Sequence, residues 1–148
     1  MIFAVTGRGR TAQGVLEVLE NLPIKYIKAE DFEKFWETKD DPIHRKNIYV
    51  VNINTEDCIV PRDPDAKFDK ADFYKNPSKY RSVFKERFLP YVSALFHCIY
   101  WEGSFPKYIK NKHLYNLANT SSLRLIGICD VKMQLGRWPA TSTGQLSV

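Results

Sequence analysis

Apolar side chains crowd into short runs along the chain, and between the runs they recur at helical spacing. The first run, Ile2-Phe3-Ala4-Val5, ends at Thr6-Gly7 and predicts a buried strand, because β-branched and aromatic residues meet a glycine turn. Val15, Leu16, Val18, Leu19 and Leu22 then predict a helix over 11–22, stopped by Pro23, whose ring cannot continue it. Ile24-Lys25-Tyr26-Ile27-Lys28 alternates as a strand with one covered face would. Phe32, Phe35 and Trp36 mark a short helix over 30–37, and Ile48-Tyr49-Val50-Val51-Asn52-Ile53 a third strand.

Residues 54–75 are polar and carry Pro61, Pro64, Asp63, Asp65 and Asp69, which predicts a long surface loop of the kind that is functional or mobile. Tyr80, Phe84 and Phe88, four residues apart, predict an amphipathic helix over 78–88 ending before Pro90. A fourth strand is expected over 94–100, a helix over 111–118, and a fifth strand over 123–129 closed by Asp130. Short apolar strands alternating with helices imply an α/β fold: a doubly wound, mostly parallel Rossmann-like sheet, truncated after about five strands. One dinucleotide-binding domain is expected over 1–131. Residues 136–148 have no apolar periodicity, and 132–148 are expected to form a divergent, disordered tail.

Composition narrows the functional classes. The chain has 148 residues, 44% apolar and 26% charged, which fits one globular domain. No run approaches the roughly 20 apolar residues of a membrane-spanning helix, so no membrane partner is expected. The first apolar run passes straight into a turn rich in glycine and arginine, which is not a secretory signal. The net charge of +5 suits an anionic ligand, but the basic residues are dispersed, so nucleic acid is not the expected partner. Cys58, Cys98 and Cys129 are widely spaced, without a CxxC pair or zinc spacing, and read as reduced thiols.

The candidate chemistry lies where the first strand ends. Gly7-Arg8-Gly9-Arg10-Thr11-Ala12 fits G-x-G-x-x-A, a variant of the dinucleotide fingerprint, between a strand and a helix. Gly7 permits the tight turn, Gly9 lets backbone approach a pyrophosphate, and Ala12 lets the helix lie close to the strand. The free N–H groups of the helix start then face the phosphates. The bland alternative is an ordinary glycine turn at a βα junction.

About 20 residues further on, an acid would accept hydrogen bonds from the adenosine ribose of NAD. Here Lys28 stands there, which suits the 2′-phosphate of NADP, with Arg8 and Arg10 assisting. Alternatively Lys28 points to solvent and Glu30 takes the acidic role of an NAD site. Asp130 either faces the nicotinamide or substrate or serves as a turn residue or helix cap. His97, between Phe96 and Cys98, reads as a hydrogen-bonded core residue. No metal-ligand spacing occurs.

A further block carries a resemblance. Asp72, Tyr74, Pro77, Tyr80, Ser82 and Phe84 are followed by Pro90-Tyr91, by Ile99-Tyr100-Trp101 and by Pro106. With Thr6-Gly7-Arg8-Gly9 and Ile128-Cys129-Asp130-Val131, this pattern resembles the lysine–ketoglutarate reductase portion of the alpha-aminoadipic semialdehyde synthase family, over about residues 2–131. Saccharopine and alanine dehydrogenases are related to it.

The resemblance implies a role in lysine degradation: joining the lysine ε-amine to 2-oxoglutarate and reducing the imine with NADPH to saccharopine. Tyr100 and Trp101 would then flank the nicotinamide ribose or the cleft, or else pack under the next helix. The family's general acid and base come from a preceding substrate domain, which this sequence is expected to lack, so no residue here is assigned a catalytic role. The expectation is an NADP-binding portion, with NAD the alternative, not catalytic alone. The other reading is a non-catalytic form that associates with the full-length subunit, or with further copies of itself. Animal members imply the mitochondrial matrix, with a cytoplasmic location left open.

Overall fold

The computed structural model describes residues 1–38, 47–100, 102–110 and 125–128. The expected helix over 111–118, the tail over 132–148, Trp101 and Asp130 lie outside the described residues. Strand β1 (Ile2–Thr6) leads through helix α1 (Arg10–Leu19) to β2 (Ile24–Ile27). A 3-10 turn (Ala29–Asp31) and α2 (Phe32–Glu37) precede β3 (Ile48–Ile53). Then come α3 (Thr55–Cys58), β4 (Ile59–Pro61), α4 (Lys70–Lys75), β5 (Tyr80–Ser82) and α5 (Phe84–Arg87). The last two strands are β6 (Ala94–His97) and β7 (Leu125–Ile128).

Five strands form one parallel sheet in the order β2-β3-β1-β6-β7, the α/β Rossmann-like arrangement expected. In that order β3 lies between β1 and β2, so β2 is an edge strand. That position accounts for a departure from the expected strand pattern. In β2 Ile24 and Ile27 are half-buried while Lys25 and Tyr26 are exposed, rather than alternating strictly.

Right-handed crossovers send successive helices to opposite faces of such a sheet when the chain reverses direction across it. From β1 the chain runs outward to β2 over α1, and Val5, Ala12, Leu19 and Val50 form the core on that face. From β2 it turns back to β3 and on to β6, and the described buried residues of those connections pack on the other face. There Phe32, Val51, Ile53, Cys58, Ile59, Phe84, Phe88, Leu89 and Leu95 make the larger core, all essentially inaccessible. Period-2 alternation within β3 sorts Val50 to one core and Tyr49, Val51 and Ile53 to the other.

Two sequence expectations are overturned in this region. Residues 54–75 are not one surface loop, because α3, β4 and α4 lie within them and bury Cys58, Ile59 and Phe73. Residues 78–88 are not one helix. They form a 3-10 turn (Pro77–Lys79), then β5, which pairs antiparallel with β4, then one turn of α5. The four-residue spacing of Tyr80, Phe84 and Phe88 reports burial in one aromatic core rather than a helical stripe.

Tyr80 meets Phe73 edge-on at 5.4 Å and donates from Oη to Asp72 at 3.1 Å. The Asn76 amide, with Tyr80 and Lys79 beside it, holds the Asp72 carboxyl below its ordinary value. Arg87 ties the layer together. Its Nε–H donates to Glu33 at 2.9 Å and a terminal N–H donates to the Asp57 carbonyl at 3.1 Å, joining α2, α3 and α5.

Phe32 links α2 to this core through ring contacts with Phe88 at 5.3 Å and Tyr91 at 6.2 Å, and it is fully buried. Phe32→Ala is therefore expected to cost about 3–5 kcal/mol. Urea titration should show a lowered midpoint; an unchanged midpoint would mean that α2 does not seal the core.

Candidate functional site

In open parallel sheets ligands bind outside the carboxyl ends of strands, where neighbouring connections leave to opposite faces. Here that place is the end of β1: its chain goes to the α1 face, whereas the described buried residues after β3 and β6 pack on the other. The residues at this point meet because Gly7 allows it. Its φ is +92°, a left-handed conformation that side chains disfavour. A Cβ on Gly7 would sit 3.1 Å from Ile99 Cγ1 and 3.2 Å from the Cys98 carbonyl oxygen. The Gly7 N–H donates to the Ile53 carbonyl at 2.8 Å, tying the turn to the end of β3.

Gly9 does something different. It is the N-cap of α1 in extended conformation (φ −76°, ψ 178°), with no side-chain cap. A Cβ there would meet no described atom within 4 Å, so Gly9 faces open space. Ala12 is fully buried against β1, which gives the close helix–strand approach expected of the third fingerprint position. Arg8, Arg10 and Thr11 are exposed around the turn. Gly7, Arg8, Gly9, Arg10, Thr11 and Ala12 therefore form one strand–turn–helix corner whose free N–H groups open outward.

The structure does not bring Lys28 to this corner. Lys28 follows β2, separated from β1 by β3, and its Nζ is 3.5 Å from Glu30 on the exposed edge. The acid beside the glycine turn is instead Glu56, which ion-pairs with Arg8. Partial burial pushes the Glu56 carboxyl up, but its own backbone N–H and the Arg8 guanidinium outweigh this and leave it below the ordinary value. A second carboxylate in the same turn has a structural task, since the Asn54 N–H donates to Asp57 at 2.7 Å. Glu56 was missed because 54–75 read as loop; its signal is that it follows a strand that is apolar but for Asn52, as a central strand is nearly continuously apolar.

On the far side of β1, Thr6 Oγ1 lies 3.1 Å from His97 Nδ1 and accepts from the Cys98 N–H at 3.1 Å. His97 is thus hydrogen-bonded within the strand pair, as its sequence neighbours implied, but half-buried rather than in the core. Tyr100 follows β6 at the carboxyl edge, half exposed, with Oη 2.8 Å from Glu102. It stands on the opposite side of β1 from Glu56. A shallow groove of about 480 Å³ lies along α1, lined by Gln13, Leu16, Glu17, Glu20, Tyr26 and Asn52. No cluster that could hold a metal ion occurs among the described residues, and none of their helices is long and apolar enough to cross a membrane.

Two outcomes test this geometry. Gly7→Ala is expected to cost about 1–3 kcal/mol, because strain at positive φ adds to the collision with Ile99, whereas Gly9→Ser should leave the unfolding midpoint nearly unchanged. Equal losses at both positions would contradict the distinct roles. Burial pushes the Cys58 thiol up to about 12, with the Tyr108 hydroxyl beside it pulling weakly back. Iodoacetamide at pH 8 should therefore label Cys58 only in denaturant, as mass spectrometry of the native and unfolded chain would show.

No protein-family model matches the chain. Individual relatives do. Alpha-aminoadipic semialdehyde synthase of Arabidopsis thaliana is 35% identical over 143 residues, covering 92% of this chain and 13% of the relative. The mitochondrial alpha-aminoadipic semialdehyde synthases of Mus musculus and Bos taurus are 25% and 23% identical over 149 residues, again covering 92% of the chain and 16% of each relative. The chain is homologous to one segment, 13–16% of the length, of the alpha-aminoadipic semialdehyde synthases.

Proposed function

We propose that this chain is the dinucleotide-binding region of a lysine–ketoglutarate reductase, an oxidoreductase of lysine degradation, and that its corner at the end of β1 cradles a nicotinamide dinucleotide. The observation that carries the reading is the open backbone at Gly9, at the start of a ten-residue helix and at the switch point of the sheet. Oriented N–H groups at such a helix start favour a pyrophosphate. The homologous segment of the semialdehyde synthases supports the choice of reaction.

In this reading the cofactor supplies the hydride and the chain supplies its placement. The turn from Gly7 to Ala12 holds the pyrophosphate, and Arg10 adds positive charge beside it. Strands β3 and β6 flank the two halves of the dinucleotide. The nicotinamide half lies over β6, toward Tyr100, with Trp101 and Asp130 the further candidates from sequence. Lysine and 2-oxoglutarate would be held by a partner substrate domain, as the resemblance implies, and the chain contributes one wall of the cleft. The proposed location is the mitochondrial matrix, since the mouse, rat and cattle relatives are named mitochondrial. The sequence-based ground for NADP over NAD was Lys28, and its place on the sheet edge leaves that choice to residues nearer the turn.

The test separates binding from folding. Gly9→Asn retains a good N-cap residue and places its side chain in open space, so the variant should fold like the parent. It should bind NADPH and NADH at least about tenfold more weakly by calorimetry, because the new side chain occupies the pyrophosphate position. Undiminished binding by Gly9→Asn, or a folded parent chain that binds neither dinucleotide at millimolar concentration, would refute the cradle.

A further inference from the structure

The strand order decides which residue can read the adenosine end of the ligand. In a dinucleotide-binding sheet the ribose lies over the carboxyl end of the strand next to the first, on the side away from the nicotinamide half. Here that strand is β3, not β2. The chain leaving β3 reaches Glu56 three residues after Ile53, whose carbonyl accepts the Gly7 N–H. Glu56 is joined to Arg8, the residue between the two glycines. Both side chains remain accessible, 61% for Arg8 and 41% for Glu56, so a ligand can reach them without rearranging the core.

Resting on the dinucleotide reading above, we propose that the Arg8–Glu56 pair reads the 2′ position of the adenosine ribose and sets the balance between NADH and NADPH, and that Lys28 takes no part. The chemistry of the pair is complementary. The Glu56 carboxylate accepts hydrogen bonds from the 2′- and 3′-hydroxyls of NADH and repels a 2′-phosphate. The Arg8 guanidinium offers planar N–H donors that match phosphate oxygens. For NADPH to bind, Arg8 must exchange Glu56 for the 2′-phosphate; for NADH the pair stays closed, with Glu56 oxygens shared between Arg8 and the diol.

A neutral residue at 56 therefore frees Arg8 for the phosphate and removes the repulsion, while a neutral residue at 8 leaves the repulsion without its counterweight. The two changes must move the cofactor ratio in opposite directions. Lys28, two strands from the glycine turn and facing Glu30, is too remote to matter.

The experiment is a calorimetric titration of the full chain and of Glu56→Gln, Arg8→Gln and Lys28→Asp with NADPH and with NADH, each confirmed folded by circular dichroism. Removing one charge beside a phosphate is expected to change the affinity ratio about tenfold. Glu56→Gln should shift the ratio toward NADPH by that amount, Arg8→Gln toward NADH, and Lys28→Asp should leave it within about twofold. Binding of a dinucleotide by the parent with a ratio that Lys28→Asp shifts and Glu56→Gln does not would overturn this assignment alone, leaving the cradle intact. Binding of neither dinucleotide by the folded parent would overturn the cradle and this assignment together.

Discussion

Everything at the carboxyl edge of the sheet depends on how closely three strand ends can approach, and Gly7 sets that distance. Its N–H is spent on β3, through the Ile53 carbonyl, while its missing Cβ leaves room for β6 at Cys98 and Ile99. Any side chain would have to displace backbone, not merely rotate a neighbour. The left-handed φ also turns the chain sharply from β1 into α1, so Ala12 is buried in one core with Val5. One residue thus fixes the seam of the sheet and the outward aim of the helix start.

The chain between β3 and β6 builds the second layer on this frame. It contributes few long elements and many buried aromatic rings, and its small antiparallel pair β4–β5 is bound to the main sheet through side chains rather than a shared ladder. The residues that carry the family resemblance fall largely here. Asp72 holds Tyr80, Phe73 packs on Tyr80, and Phe84 stacks on Tyr108 at 5.4 Å. Those recognisable positions are explained by packing and hydrogen bonding within the layer. In the proposed reading, contacts with the dinucleotide fall instead to the turn from Gly7 to Ala12 and to the residues that follow β3 and β6.

This division explains what could be read in advance. Strands β1, β3 and β6 were legible because central parallel strands are covered on both faces and so must be almost continuously apolar. Helix α1 was legible from its spacing and from Pro23, and the turn before it from Gly7, whose left-handed backbone no other residue adopts as cheaply. The segment from 54 to 88 was misread because its buried residues are isolated in a polar stretch. Ile59 and Ser82 pair across more than twenty positions of chain, and no local pattern records a contact of that range.

By itself the sequence determined the kind of protein: apolar runs that must become a parallel sheet, a glycine turn that must open a helix, and a block of residues shared with one enzyme family. The tertiary structure decided the order of the strands. Periodicity describes how a segment buries its own faces and carries no term for which neighbour it pairs with. The insertion of β3 between β1 and β2 is therefore invisible in the chain, yet it moves Lys28 to the sheet edge and brings Glu56 to Arg8.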